Sequence, residues 1–546
     1  MGEFPHFPRA LCGYAEQMSW AAAAVPPPDP GSGTSGTAEL LCALSYGSGL
    51  ALAERMEHGT NTAFVGIQLA RALGLGTQDL EAVFYGALVK DMGCGACGAV
   101  LVPFFAEEEL APRLDLSLLD LHSPRDLAAW ARSRLRLDSG LPARLARLAS
   151  FAAQCVSVSH EAAAAHCEIA ADFAGRLGFG PHVQDAVRYQ YERYDGRGPA
   201  FHRRAETIPR AAQVLHLALA ADVSRGLAGA EEASAMVRQR AGTYFEPDVA
   251  QAYLDLASDL WPPGDDPVPL PDVLSCDPGT PADELPGDRR LTVCEALADF
   301  ADLRSAPRGL HSHTVASLAA RAAAHLGLSP AEQDRLRRAG LVHDLGKIAV
   351  PYRLLEKAGD DTSGSTRQGG LAVLAEPVRL HPYYAQRILS RVRPLADLAA
   401  DVGAHHERLD GSGYPLGLAG GGVPLGARVL AAADTWAERA REGAPDLTGE
   451  HGLDPACTDA LRSCTEPGRA YHRRHSHAAP AGPVLSSREL EVLRLLADGA
   501  SNPDISKALY ISRRTAEHHV EHILVKLGVT SRTAAVAYAL THELLG

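Results

Sequence analysis

One spaced set of polar residues occurs twice in this chain, and that repeat constrains the fold more than any other feature. His58, Asp91 and Gly93 recur as His311, Asp344 and Gly346 at an offset of 253. His166, Glu192, Asp195, Gly196, Gly198 and Pro209 recur as His381, Glu407, Asp410, Gly411, Gly413 and Pro424 at 215, and Glu246-Pro247 answers to Asp454-Pro455 at 208. An offset that holds over long stretches and steps between them is the mark of duplication followed by changes in loop length. Two tandem copies of one fold are therefore expected.

At 546 residues the chain is too long for a single core. Three compositional breaks divide it. Residues 1–38 are rich in Pro, Gly, Ser and Ala and are expected to lack fixed structure; 261–288 is Pro-rich and acidic; 466–483 is basic and His-rich. Folded blocks are expected at 39–260, 289–465 and 484–546. Within them Ala/Leu-rich stretches with helical spacing end at Gly-Leu stops, and Ser329-Pro330-Ala331-Glu332 reads as a capping box with Pro at the first helical position. Little reads as strand, so the fold class is all-α. Ten cysteines stand singly except for Cys94 and Cys97, and that pair without a second is weak evidence for zinc or redox chemistry. Neither a signal peptide nor a long apolar run is legible, which predicts a cytoplasmic protein with no membrane partner.

The second block gathers His311, His343-Asp344, His381, His405-His406 and Asp434, five imidazoles and two carboxylates. That is more than one metal ion needs. Imidazole with carboxylate, and no paired thiolates, suits iron, manganese or zinc. A carboxylate can bridge two such ions about 3.5–4 Å apart, an arrangement that hydrolyses phosphoesters.

These motifs resemble a known family. His343-Asp344-Leu345-Gly346-Lys347 and the run His405-His406-Glu407-Arg408-Leu409-Asp410-Gly411-Ser412-Gly413-Tyr414-Pro415 are similar to the paired signatures of HD-GYP phosphohydrolases, with His381-Pro382 and Arg428 to Asp434 in the expected places. The resemblance covers roughly 290–465. It implies a helical domain holding two or more divalent ions, iron first and manganese or zinc next, that hydrolyses cyclic di-GMP. His311, His343, Asp344, His381, His405, His406 and Asp434 would hold the metals. Asp344 and Lys347 would be catalytic, Lys347 and Arg428 would face the substrate phosphates, and Tyr414 would shape the pocket. Lysine occurs only at 90, 347, 357, 507 and 526, so a lysine at a motif position carries extra weight. The chain departs from the family pattern at Ala437, where a second Asp is usual, and lacks the Arg-Pro-Tyr stretch that follows. It also carries a Gly/Ser-rich insertion at 360–365.

In the first block the same alignment puts Lys90 for His343, Gln190-Tyr191 for the two histidines, Leu219 for Asp434 and Pro199-Ala200 for Tyr414-Pro415. This reads as a degenerate HD-GYP-like copy that dimerises, or binds a ligand without cleaving it.

Residues 484–546 carry clear helix punctuation. Ser486 and Glu489 form a capping box before Leu490, Leu493 and Leu496; Ser501 opens a second helix with Ile505, Ala508 and Leu509 inward. After the turn at Ile511-Ser512, a third helix from Arg513 to Leu527 has Val520, Ile523, Leu524 and Leu527 on one face. Two helices joined so tightly can present the second to a major groove. Leu485-Ser486-Ser487-Arg488-Glu489, Ile511-Ser512-Arg513-Arg514-Thr515 and Lys526-Leu527-Gly528-Val529 resemble the LuxR-type helix-turn-helix, which implies a four-helix module that binds duplex DNA as a homodimer and regulates transcription. Arg513, Arg514, Thr515 and Lys526 then sit for phosphate contacts, and Glu517, His518 and Glu521 on the base-reading face. The whole chain carries a net charge of −14 and this segment has seven basic against seven acidic side chains. Little counterion release is available, so weak non-specific binding is expected.

The expectation is a transcription regulator whose middle block hydrolyses a nucleotide second messenger. Two alternatives stand beside it: helical blocks that only sense or dimerise, and hydrolysis of another phosphoester.

Overall fold

The protein is described from a computed structural model. It describes residues 36–51, 55–93, 163–264, 266–279, 289–304, 311–350, 376–441, 451–465, 487–497, 502–509 and 532–541, with isolated positions between them. Among these residues the chain is helical, with two isolated bridges and no strand.

The first block comprises α1 (Gly36–Ala51), α2 (His58–Ala72), α3 (Thr77–Val89), α4 (163–176), α5 (Pro181–Arg188), α6 (Arg210–Ala228), α7 (Ala230–Arg240) and α8 (Pro247–Leu256). α9 (Leu270–Ser275) leads towards the second block, built from α10 (Arg289–Arg304), α11 (His311–His325), α12 (Pro330–Val342), α13 (His381–Ser390), α14 (Ala399–Gly403), α15 (Leu425–Arg441) and α16 (Pro455–Thr465). α12 starts as its sequence predicts: Ser329 Oγ accepts from Glu332 N, and the Glu332 carboxylate accepts from Ser329 N at 2.8 Å.

Three features differ from the sequence reading. α1 begins at Gly36, inside the stretch expected to lack structure. It is buried on nearly all sides, so it has no polar stripe to announce it. The Pro-rich stretch expected to be a linker packs on the first block: Val268, Val273, Leu274 and Cys276 are buried, Arg225 donates to the carbonyls of Gly264 and Asp266 at 2.9 Å, and Val268 N donates to Asn61 Oδ1 at 3.0 Å. Pro/Gly composition predicted a break in helix, and the break is folded. Lastly, the first two blocks share one hydrophobic core running from Ala38 to Cys464. α1 joins them. Its Gly47 faces Ile348 of the second block, Glu39 takes the Arg393 guanidinium, and Glu57 beyond it pairs with Arg391.

His216 on α6 gives this core a pH dependence. It donates Nδ1–H to Glu192 O at 3.0 Å and packs edge-on to Phe245. Burial, the largest influence, lowers its pKa to about 4. The unfolded chain takes up a proton near pH 6.5 that the folded chain refuses until about 4. Stability is therefore full above pH 6.5 and falls through that window, by roughly 3 kcal/mol in all. Urea unfolding at stepped pH should show the slope, and His216→Phe should flatten it.

The C-terminal region has its own core. Val492, Leu493 and Leu496 of α17 (Ser487–Ala497) and Ile505 of α18 (Asn502–Ala508) pack with Val520, Ile523, Leu527 and with Ala535 and Ala539 of α19 (Arg532–Thr541). Arg488 donates to Leu509 O at 2.7 Å, tying the first helix to the end of the second.

Candidate metal centre

Seven side chains distant in sequence meet in the second block. His311 opens α11, His343 follows the last turn of α12, and Asp344 leads into a 3-10 segment, Leu345–Ala349. His381 opens α13, His405 and His406 follow α14, and Asp434 lies on α15. All are buried except His406, which is half-buried.

Asp344 stands between two sets of imidazoles. Its Oδ2 lies 3.4 Å from His343 Nε2 and 3.7 Å from His311 Nε2; its Oδ1 lies 3.4 Å from His381 Nε2 and 4.0 Å from His405 Nε2. Asp434 Oδ1 closes the first set, 3.0 Å from His311 Nε2 and 3.7 Å from His343 Nε2. The second set ends in His406, whose donor atom gathers with those of His381 and His405.

Local backbone aims the rings. His343, His381 and His405 each donate Nδ1–H to the carbonyl three residues earlier, on Gly340, Val378 and Val402, at 2.8, 2.6 and 2.6 Å. With the proton fixed on Nδ1, each Nε2 lone pair points inward, the usual tautomer of a metal-binding histidine. Four of the inward atoms (His311 Nε2, His343 Nε2, Asp344 Oδ1 and Asp434 Oδ1) have no hydrogen-bond partner although fully buried. Orphaned polar atoms are costly, and four facing one another fit divalent cations.

The charge states agree. Burial pushes the carboxyls of Asp344 and Asp434 up, but the neighbouring histidines, with Lys347 at Asp344, outweigh it and hold both well below the usual range. Burial drives His405 and His406 well below the usual imidazole value and lowers His381. The second set is thus made of neutral imidazoles beside ionised carboxylates, the forms that bind metal. At His343 burial lowers the pKa but the Asp344 and Asp434 carboxylates outweigh it and raise it to about 9, so an ion there would displace a proton.

The other expected site residues fall unevenly. Lys347 is buried, its Nζ 2.5 Å from Asp344 Oδ2. Tyr414 stacks on the His406 ring at 4.7 Å. Arg428 spends its guanidinium on protein: the Val423 carbonyl at 2.8 Å, the Gly420 carbonyl at 3.3 Å and Asp454 at 3.2 Å. These contacts tie the 420–423 loop to the start of α16. Arg513, Arg514, Thr515, Glu517, His518, Glu521 and Lys526 lie outside the described residues, as do Cys94, Cys97 and the 360–365 insertion.

The sequence places Glu407 in the repeat and in the signature run but gives it no role. The buried carboxylate accepts from Leu416 N at 2.7 Å and Leu418 N at 2.9 Å, so it folds the Gly-Tyr-Pro loop back over the centre. Glu192 makes the same pair of bonds in the first block, to Phe201 N at 2.7 Å and Arg203 N at 2.6 Å, again nine and eleven residues on. That matched pair in the alignment was the available signal. Glu407→Gln turns an amide donor towards one of these N–H groups. It should lower metal affinity or turnover about 10–100-fold, measured by metal competition and rate assays.

In the first block Leu219 aligns with Asp434 and cannot bind an ion, whereas Asp222, one turn on at the position of Ala437, reaches the counterpart of His311: His58 Nδ1 lies 2.6 Å from Asp222 Oδ2.

Comparison with known proteins finds two family patterns in the chain. The HD domain pattern matches residues 295–451, and the pattern of the bacterial regulatory proteins of the luxR family matches 483–539. The chain carries an HD domain followed by a luxR-family domain. The 3'3'-cGAMP-specific phosphodiesterase 3 of Vibrio cholerae is 26% identical over 455 residues, 78% of this chain and 93% of that protein. A cyclic di-GMP phosphodiesterase of Thermotoga maritima is 34% identical over 150 residues, 27% of this chain and 37% of that one. The probable transcriptional regulatory protein NarL of Mycobacterium tuberculosis is 50% identical over 68 residues, 12% of this chain and 32% of that one. In fold, the crystal structure of a cyclic GMP-AMP specific phosphodiesterase from V. cholerae superposes with a TM-score of 0.51 at 22% identity, covering 78% of this chain and 97% of that one. Among the described residues no helix is long and apolar enough to cross a membrane. All seven expected ligands of the HD domain lie inside the matched span.

Proposed function

We propose that this chain is a metal-dependent phosphodiesterase for a cyclic dinucleotide, joined to a module that binds duplex DNA and regulates transcription. The observation that carries the first half is the position of Asp344, with one carboxylate oxygen towards His311 and His343 and the other towards His381 and His405. His311, His343, Asp344 and Asp434 would hold one ion, and Asp344, His381, His405 and His406 a second, iron before manganese or zinc. Such a pair of ions supplies Lewis acidity and an activated water for in-line attack on phosphorus.

The chain's own residues do the rest. The Nδ1–H bonds to backbone carbonyls keep three imidazoles aimed at the centre. The Lys347 ammonium, now on Asp344, is close enough to turn to a substrate phosphate once that carboxylate is shared with metal. Tyr414 covers the His406 ring, held there by the Glu407 loop. The relatives are named for 3'3'-cGAMP or cyclic di-GMP, and both compounds belong in the assay. Product analysis after incubation with each, beside metal determination, tests the reading. Metal bound without cleavage of either would leave a sensor, which the missing Arg-Pro-Tyr stretch supports, or a phosphohydrolase for another phosphoester.

The DNA half rests on the luxR-family match over 483–539. In this reading the protein acts as a homodimer, with Arg513, Arg514, Thr515 and Lys526 on phosphates and Glu517, His518 and Glu521 on bases. Glu517 accepting from a cytosine amino group would read sequence directly. Selection from a random duplex pool should return a preferred site whose cytosine preference relaxes in Glu517→Ala; an unchanged site would remove Glu517 from the reading face.

A further inference from the structure

The first block gathers polar residues like those of the metal centre and joins them differently. Lys90 stands where the repeat has His343, and its side chain is 1% exposed. Its ammonium sits on Asp91, the counterpart of Asp344. Gln190, the counterpart of His405, donates to the Lys90 carbonyl at 3.1 Å and lies 3.4 Å from Nε2 of His166, the counterpart of His381. His58 is turned to Asp222 at 2.6 Å, and Asn61 bonds the other oxygen of that carboxylate at 2.9 Å while accepting from Val268 N. Among the described residues, every group of His, Cys, Asp and Glu close enough to hold an ion falls in the second block.

We infer that the Lys90 ammonium takes the place of the metal ions in the first block, which is therefore a metal-free copy assembled around a built-in cation. The substitution does two things at once. It removes an imidazole donor from the ligand set, and it puts a fixed positive charge against the one carboxylate that would bridge two ions. A divalent cation entering there would meet a like charge in a cavity closed to water. Conversely, Asp91 is 2% exposed, and a buried carboxylate needs a partner to stay ionised. In the second block that partner can come and go with the metal supply. In the first it is covalently attached, so the helices that share a core with the HD domain keep their shape whether or not metal is bound.

The contrary case has a definite place to occur. Asp91 Oδ1 and Gln190 Oε1 are buried without a hydrogen-bond partner, and a cation in this block would use them. The experiment uses the full chain. Asp344→Ala combined with Asp434→Ala should leave no transition metal bound, and Asp91→Ala in the otherwise native chain should leave metal content unchanged. By hydrogen exchange, a chelator should loosen α11, α13 and α15 but not α2, α3 or α6. Lys90→Met should cost protection in α2, α3 and α6 by stranding Asp91, and Lys90→Met with Asp91→Leu should recover it. If Lys90→Met alone does not accumulate, the double variant carries the test. Metal that persists in the Asp344→Ala, Asp434→Ala chain and disappears on adding Asp91→Ala would overturn the inference. So would chelator-induced loosening of α2 and α6, or a double variant no better protected than the single one.

Discussion

Asp344→Ala is expected to abolish binding of both ions and to cut phosphodiester hydrolysis by about three orders of magnitude or more, the equivalent of roughly 4 kcal/mol in the barrier. Asp344 gives one carboxylate oxygen to each half of the centre. Removing His311 or His406 thins one set of donors, whereas removing Asp344 takes an oxygen from each. It also leaves the Lys347 side chain buried without the carboxylate it touches. Metal content by mass spectrometry and single-turnover rates on a cyclic dinucleotide would measure the effect. A variant that keeps its full metal complement would mean that Asp344 is a bystander and that the proposed centre is wrong.

Gly346→Ala should be nearly as damaging without touching a ligand. A Cβ at Gly346 would lie 1.9 Å from the carbonyl oxygen of His381 and 2.8 Å from Ala385 N. Those are backbone atoms of α13, so relief requires the helix to move, and His381 rides on its first turn. Overpacking of this kind costs about 1–3 kcal/mol, and a collision this close belongs at or above the top of that range. The His381–Asp344 approach should open with it, so metal should be lost along with stability. The same device stands in the first block, where a Cβ at Gly93 would lie 2.1 Å from His166 O. Unfolding midpoints and metal stoichiometry measured on one preparation would check both effects. Unchanged values would show that the close approach is dispensable.

Much of the candidate site was legible because its chemistry leaves few alternatives. Five histidines and two aspartates in a block otherwise rich in Ala and Leu are hard to read as core, and their spacing set them apart from surface charge. The repeat helped again with Glu192 and Glu407, although what those carboxylates do could not be read from spacing alone. What stayed hidden depended on contacts between distant segments. Arg428 sits beside a ligand-bearing stretch, yet its contacts go to Gly420, Val423 and Asp454, since a helix side chain projects where the fold allows. Asp222 was missed because it stands at the position of Ala437, one helical turn beyond the aligned Leu219, where the second block offers no ligand to compare it with.

By itself the sequence determined the all-helical class, the HD and luxR-family segments and the candidate set of histidines and aspartates for a metal centre. These follow from side-chain type and from periodicities within one element, which is information local to the chain. Only the tertiary structure decided that α1 and the Pro-rich 266–279 stretch belong to the core, and that two blocks share one hydrophobic interior. It alone showed Asp344 reaching both sets of imidazoles, and Lys90 sitting on Asp91 where the repeat calls for a histidine. Burial and charge pairing are properties of many segments meeting at once, so no window on the sequence contains them.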